Sequence, residues 1–397
     1  MNKKILTMVI IFIAIVALGS YYFWTNKADK NVKIVAVATM RGIDAGVDTI
    51  NGVKLALKEA NYLVGKYNIE LIVEDNGDEE GYWVEDVEKN IAEKAANDKD
   101  VMIYLGPIDS GAAKISLPIT NKAGLPQISP TNTWPGLTQA GFAPGEPGIF
   151  YPTGVRTYFR VCPTDAVQGP AGAIWAKEMG LKNIFIFDDG TLYGTGITNI
   201  FEEKAVSLGL NILGHETLDR EGQSFVSELN ELKDLDLIYF GGVPSTGVVS
   251  LIKGIKDLNL QAKFMGTDGI MDQFILDQAG ESAEGIYLTT IGSPINELQD
   301  EGADFYKNYV SEYGIEPNTY SAFGYEAAKV SLLAIDRAGQ KNREKVLGEL
   351  AGLRDFPGIF GNWSFNSSGD TDLILVSGNI VRDGKFEYEK TLSSGNN

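Results

Sequence analysis

The chain has 397 residues, with 34 Lys+Arg against 53 Asp+Glu, a formal net charge of −19. Such an excess of acid argues against a nucleic-acid partner, whose phosphates need a basic face. A single histidine, His215, and a single cysteine, Cys162, leave no material for a Cys/His zinc cluster or an internal disulfide. The composition, 44% hydrophobic and 22% charged, is that of a folded globular protein, long enough for two or three domains with cores of their own.

The first segment concerns location. Behind Met1-Asn2-Lys3-Lys4, the run Ile5–Trp24 carries no charge; as a helix rising about 1.5 Å per residue it spans roughly 30 Å, enough to cross a bilayer core. Two readings compete. In a cleaved signal peptide, Ile5–Val16 is the apolar region and Ala17-Leu18-Gly19 the cleavage site. In an uncleaved anchor, the aromatic cluster Tyr21-Tyr22-Phe23-Trp24 sits at the membrane–water interface. Apolar character running past the cleavage site favours the anchor. No cysteine lies nearby, which excludes a lipid-modified N-terminal Cys. Lys3 and Lys4 favour a cytoplasmic N-terminus, so either reading puts the rest of the chain outside the cytoplasm. Residues 1–31 are therefore expected to be a signal or membrane anchor, an N-terminal hydrophobic helix, with Thr25–Asn31 as a polar linker.

Strands and helices then alternate. Val32–Thr39 is a β-branched run, after which Ile50, Val53, Leu55, Ala56, Leu57 and Ala60 recur at helical spacing. Ile69–Val73 reads as a strand, Val84–Ala96 as a helix, Val101–Leu105 as a strand, Ser110–Lys122 as a helix and Leu125–Ser129 as a strand. Short apolar runs between helices are the signature of buried parallel strands in βαβ units. The segment Trp134–Tyr151, rich in Pro, Gly and aromatic residues, breaks the rhythm. It is either a surface flap packed by its own aromatics or a loop at the mouth of a ligand cleft or partner surface. The pattern restarts with Ile184–Phe187, the helix Gly194–Leu208, Leu210–Leu213, the helix Phe225–Leu232, Leu235–Phe240, the helix Thr246–Leu258, Lys263–Met265 and Gly285–Thr290. The two blocks connect near Tyr158–Val161. Helical stretches at Asp300–Tyr313, Thr319–Gly339 and Asn342–Leu350 precede strands at Ile359–Phe365 and Leu373–Phe386. The fold class is α/β.

Catalytic and metal motifs are missing. The sequence has no G-x-G-x-x-G opening a helix after a strand, no phosphate loop, no G-x-S-x-G elbow and no H-E-x-x-H. The acidic run Asp75–Glu80 has Glu80 where a calcium loop needs glycine, so it reads as a solvated turn. His215 has no patterned partner and reads as a surface histidine. Cys162 is expected to pack near the crossing between blocks. Nothing in the spacing selects a catalytic pair from 53 acids, and no cofactor is implied.

Polar groups at strand ends carry the functional signal, because ligands of open α/β sheets bind beyond the carboxyl ends of the strands. Ser110 follows Ile103-Tyr104-Leu105-Gly106-Pro107 at the start of a helix, as N-cap, as ligand group, or as both. Thr131-Asn132-Thr133 follows Ser129-Pro130. In the second block, Tyr193 follows Phe187-Asp188-Asp189-Gly190 and Asp268 follows Phe264-Met265-Gly266. Hydroxyls and helix N–H groups facing a carboxylate suit a zwitterion, its carboxylate toward Ser110 and Thr133 and its ammonium toward Asp268.

The order Tyr104-Leu105-Gly106-Pro107 to Ser110, Gln127-Ile128-Ser129-Pro130-Thr131-Asn132-Thr133, Phe159-Arg160-Val161 to Asp165 and Gln168-Gly169, Tyr193-Gly194, Gly241-Gly242 and Phe264-Met265-Gly266 to Asp268-Gly269 resembles the branched-chain amino acid-binding proteins. These are type I periplasmic-binding proteins, the solute receptors of ABC importers. The similarity runs from about Val32 to the tail, where Gly361-Asn362-Trp363-Ser364-Phe365-Asn366 also fits. It implies two Rossmann-like lobes joined by a multi-strand hinge, lobe one at 32–158 and 291–352 and lobe two at 159–290 and 353–397. It implies that Ser110, Thr133 and the backbone at Thr131 hold a ligand carboxylate, that Asp268 pairs with the α-ammonium, and that Tyr193 and Val243 line the second-lobe side. A permease is the implied partner, with closure of the lobes burying the ligand. Two departures concern the rim: Ala45, in the loop Gly42–Val47, stands where the family often has an aromatic residue, and the 134–151 loop is longer than in shorter members. "Amino acid" is thus better supported than "leucine, isoleucine or valine". The rival readings are a membrane-tethered sensor of the same fold for amides, urea or small carboxylates, and a carboxylate-based hydrolase.

Overall fold

The computed structural model describes residues 30–219 and 234–395, with Leu229 and Leu232 between them. The expected hydrophobic helix Ile5–Trp24 and most of the expected helix Phe225–Leu232 lie outside the described residues. Among the described residues, no helix is long and apolar enough to cross a membrane.

From Ile34 onward every residue of Asn31–Ala38 (β1) is buried, as befits a strand covered by helices on both faces. It runs parallel to Tyr67–Asp75 (β3) on one side and Val101–Leu105 (β4) on the other. Leu63–Val64 (β2), Gln127–Ser129 (β5) and Tyr158–Arg160 (β6) complete a sheet of order β2-β3-β1-β4-β5-β6. Its helices are Asp44–Glu59 (α1), Glu85–Asn97 (α2) and Ser110–Lys122 (α3).

After Asp165–Glu178 (α4) a second sheet repeats the plan. Asn183–Asp188 (β7), Asn211–Thr217 (β8), Leu237–Gly241 (β9), Lys263–Thr267 (β10) and Tyr287–Ile291 (β11) are parallel, and the late strands Val376–Arg382 (β14) and Lys385–Leu392 (β15) extend the edge antiparallel. The order is β15-β14-β11-β10-β9-β7-β8. Leu192–Ser207 (α5), Thr246–Asp257 (α6) and Gln273–Ala279 (α7) connect these strands. In each sheet the first strand sits between its successors, β1 between β3 and β4, β7 between β8 and β9. The connections there leave in opposite directions and open a crevice beyond the strand ends.

The chain then returns to the first lobe. Glu301–Tyr313 (α8), Thr319–Ala338 (α9) and Arg343–Ala351 (α10) pack on the first sheet. α9 begins at a capping box, the Asn318 side chain accepting from Ser321 N–H at 3.0 Å while the Ser321 hydroxyl accepts from Asn318 N–H at 2.9 Å. It crosses α1 closely because both helices carry glycine at the contact: a Cβ on Gly52 would lie 1.9 Å from the Ser321 carbonyl oxygen, and one on Gly324 2.2 Å from that of Thr49.

Two lobe boundaries differ from expectation. Phe159, Val161 and Cys162, expected in the second lobe, belong to the first core, because β6 pairs with β5. The whole of 353–397 was also expected there, yet Leu353, Phe356, Ile359, Phe360, Trp363 and Phe365 fill the first core, and only β14 and β15 join the second sheet. The short hairpin of Phe356–Gly358 (β12) and Gly361–Trp363 (β13) is held by the buried Glu326 of α9. That carboxylate accepts from Trp363 Nε1 at 2.6 Å and Ile359 N–H at 3.2 Å. The chain therefore passes between lobes three times, after β6, after β11 and before β14.

The first and third crossings are tied together. Arg160, with no exposed surface, reaches Asp370 Oδ1 at 2.6 Å and the carbonyls of Asn132 and Trp134 at 2.9 and 2.8 Å. Asp370 also accepts from Thr138 Oγ1 and Gln139 Nε2 at 3.0 and 2.8 Å. Every lone pair and proton in use is satisfied, which a desolvated ion pair requires.

The 134–151 loop is packed by its own aromatics. Trp134, Leu137, Phe150 and Tyr151 cluster with Ala113 and Leu117 of α3, and Glu146 receives both Trp134 Nε1 at 2.9 Å and the Lys114 ammonium at 2.7 Å. It also touches the other lobe: a Cβ on Gly196 of α5 would lie 2.6 Å from the Trp134 ring.

Cys162 is sealed, its Sγ 3.5 Å from the Asn132 carbonyl oxygen, and burial pushes its thiol up. His215 is not the unpartnered surface residue expected. The β7–β8 register sets it opposite Ile186, so its Nε2 lies 3.1 Å from Asp188 Oδ2 and its Nδ1 2.6 Å from Glu202 Oε2 of α5.

Candidate functional site

Six parallel strands end around one cavity. The chain beyond β1 contributes Ile43 and Ala45, that beyond β4 Ile108, Asp109 and Ser110, and that beyond β5 Thr131 and Thr133. From the other lobe come Tyr193 after β7, Val243 and Pro244 after β9, and Asp268 and Gly269 after β10. All six residues singled out from the sequence, Ser110, Thr131, Thr133, Tyr193, Val243 and Asp268, thus line the same space, whose volume is about 50 Å³.

On the first-lobe wall, Ser110 is the first residue of α3, and the cap position falls to Asp109, whose side chain makes no capping bond. The Ser110 hydroxyl accepts from Trp134 N–H at 3.3 Å. The first-turn N–H groups of α3 have no carbonyl four residues back and carry the positive end of the helix dipole. Thr131 spends its N–H on Ser129 Oγ at 3.2 Å and its hydroxyl on the Ile108 carbonyl at 3.2 Å. The Thr133 carbonyl accepts from Asp165 N–H at 2.9 Å, which fixes the loop. Asp109 accepts from the Thr39 hydroxyl at 2.7 Å; burial pushes its carboxyl up to about 6, against that bond, and the charge of Asp189 adds to the push.

The opposite wall is built around Asp268. Its Oδ1 accepts from Gln168 Nε2 and lies 3.0 Å from the Tyr193 hydroxyl, which is also 2.8 Å from Thr267 Oγ1 and accepts from Gly269 N–H at 3.3 Å. Burial raises the Asp268 carboxyl, and the bonds from Gln168 and Tyr193 pull it back. Val243 contributes surface only, because its N–H is taken by Asp189 Oδ2 at 2.8 Å.

Four lining residues were missed in the sequence, Ile108 among them, two positions before Ser110. Tyr320, in the first turn of α9, donates to the Asp268 backbone carbonyl at 3.2 Å. It comes from the return segment, where no strand end announces a site. Pro244 directly follows Val243, and Asp109 directly precedes Ser110, so adjacency was the only signal for either. Behind the wall lies Asp165, the first residue of α4, with no exposed surface and neither carboxyl oxygen hydrogen-bonded. Burial drives it up to about 8, with the Asp268 charge adding to the push and the Thr133 hydroxyl opposing it.

Two α/β lobes with one cavity lined by strand ends of both define a bilobal solute-binding protein. Comparison with known proteins agrees: residues 31–374 match the periplasmic binding protein family, and the chain belongs to it. Within that family its relatives are branched-chain amino acid-binding proteins. It is 26% identical over 393 residues to Leu/Ile/Val-binding protein homolog 2 of Brucella abortus, covering 97% of this chain and 99% of the relative. Among solved structures, the leucine-binding protein LivK of Thermotoga maritima superposes with a TM-score of 0.79 at 27% identity, covering 91% of this chain and 99% of that one. The fold is shared with the branched-chain amino acid transporter substrate-binding protein LivJ of Streptococcus pneumoniae, solved with isoleucine, at a TM-score of 0.78 and 24% identity over 92% of this chain and 100% of that one. The family is extracytoplasmic, and its members are solute-binding proteins of ABC transporters, not enzymes.

Proposed function

We propose that the chain captures a small α-amino acid between its lobes and delivers it to the permease of an ABC importer. The observation that carries this reading is the opposition across one cavity of the α3 N-terminus, with Ser110 and Thr133, to the buried Asp268. An α-carboxylate would meet the N–H groups and hydroxyls of the first wall, and an α-ammonium would meet Asp268, with charge-assisted bonds of about 1.5–3 kcal/mol each. Ile43, Ala45, Ile108, Val243 and Pro244 supply apolar surface for part of a side chain. The names of the relatives support the same solute class. Ile5–Trp24 would serve as a membrane tether.

A thermal-shift screen over the amino acids, followed by calorimetry, tests the reading. A ligand at a hundred times its Kd stabilises the folded state by about 2.7 kcal/mol, which for a chain of this size raises Tm by roughly 4 °C. Unchanged ligand should be recovered after binding. Asp268→Asn should weaken the amino acid at least tenfold, which is about 1.4 kcal/mol. Unaltered affinity in that variant removes Asp268 from the site.

A further inference from the structure

Ala45, Tyr320 and Asp268 form a wall with a space on either side. One space is the cavity; the other is a wider vestibule of about 390 Å³, whose other walls carry Asp44 and Asp48 from α1, Asp272 from the loop before α7, and Glu316. The two lobes touch there, Asp44 N–H donating to Asp272 Oδ2 at 3.3 Å. Neither space is lined by a single Lys, Arg or His. None of the six carboxylates facing them, Asp44, Asp48, Asp109, Asp268, Asp272 and Glu316, has a cationic partner among the described residues.

A second observation points the same way from the opposite side of the site. Asp165 is fully buried, neither oxygen within ordinary hydrogen-bond geometry of a donor; burial and the charge of Asp268 favour its protonated form beside this acidic site, and the Thr133 hydroxyl opposes. A zwitterion is neutral overall, so it would leave the charge of the lining carboxylates uncompensated once the lobes close and water is expelled. At Asp48 burial pushes the carboxyl up to about 6, the bond from Asn318 opposes, and Asp44 and Asp272 push further. Asp272 is raised by burial as well, with Asp44 and Asp277 adding to it. A metal ion is a poor candidate for the missing charge, because no group of three or more His, Cys, Asp or Glu side chains among the described residues converges closely enough to hold one.

We infer that the ligand is a basic α-amino acid, whose α groups occupy the cavity and whose side-chain cation passes Ala45 into the vestibule between Asp48 and Asp272. The inference rests on the α-amino-acid reading above and specifies its side chain. Ala45 is the smallest side chain on the wall the two spaces share, so the reach is placed there. The ammonium or guanidinium would then bridge the two lobes by pairing with α1 on one side and the α7 loop on the other, so closure and side-chain recognition become one event.

Calorimetry on the full-length protein with a matched set of probes decides the matter. L-lysine, L-ornithine and L-arginine carry the tail cation; L-norleucine is lysine without it; 1,5-diaminopentane is lysine without its carboxylate. The best basic amino acid should bind at least thirtyfold more tightly than norleucine, about 2 kcal/mol. Asp48→Asn with Asp272→Asn should cost that ligand at least tenfold, while norleucine changes less than twofold. Norleucine or leucine binding as tightly as the basic set overturns the cationic side chain and leaves the α-amino-acid reading standing. Diaminopentane binding more tightly than lysine keeps the anionic vestibule but overturns the amino acid. Absence of binding by every probe overturns both.

Discussion

Replacing Asp165 by Asn should make the protein more stable, and more so as the pH rises. This carboxyl has no exposed surface, and burial chiefly moves it from 3.8 to about 8, the Thr133 hydroxyl opposing only in part. A carboxyl raised in the folded state holds its proton more tightly there than in the unfolded chain. Its contribution to stability is therefore whole below the unfolded value and is lost as pH climbs through the folded one. From about pH 5 to about pH 8 the wild type gives up roughly three units at about 1.4 kcal/mol each, or roughly 4 kcal/mol. The isosteric amide cannot ionise and escapes that loss. Urea unfolding of both proteins across this range measures it, and raised carboxyls not coupled to Asp165, such as Glu88, Glu326 and Asp109, cancel because both proteins contain them. A stability difference that stays constant from pH 5 to pH 8, or that grows toward acid, would refute the argument.

His215 titrates with the opposite sign. The bond to Asp188 chiefly raises it, with Glu202 assisting, so its stabilisation is whole below about 6.5 and fades as pH rises through the raised value. Wild type and His215→Gln should differ most in unfolding midpoint below about pH 6.5 and converge as pH rises through the raised value; a gap widening with pH sinks the assignment. Trp363→Phe removes the indole donor from Glu326, whose carboxyl burial already pushes to about 7, and should cost about 1–3 kcal/mol. Urea unfolding followed by the remaining tryptophan fluorescence reads this loss, and an unchanged midpoint would mean that Glu326 finds another donor.

Local patterns made the alternation of strands and helices legible, and with it the positions where a ligand should lie. Ser110, Thr131, Thr133, Tyr193, Val243 and Asp268 each follow a short apolar run, and the topology brings all six to one cavity because both sheets switch direction at their first strand. Tyr320 was invisible because its route to the cavity depends on how α9 crosses α1 at Gly52 and Gly324, a contact between helices more than 260 residues apart. The tail posed a different problem. Ile359–Phe365 announces a strand by its apolar character, yet nothing local says which sheet or core receives it; the buried Glu326 on a distant helix decides. His215 likewise acquires its partners only through the β7–β8 register. What escaped the sequence in each case was a partner chosen by tertiary placement.

The sealed cysteine has a practical consequence. A chain whose only thiol is protonated and enclosed presents nothing for a maleimide to attack. A cysteine introduced at Val47, 42% exposed on α1 and two residues beyond Ala45, would be the one reactive point on the molecule. An environment-sensitive dye attached there would sit three residues along α1 from Asp44, whose N–H meets Asp272 of the other lobe, and would turn solute capture into an optical signal, with no need to remove Cys162 first.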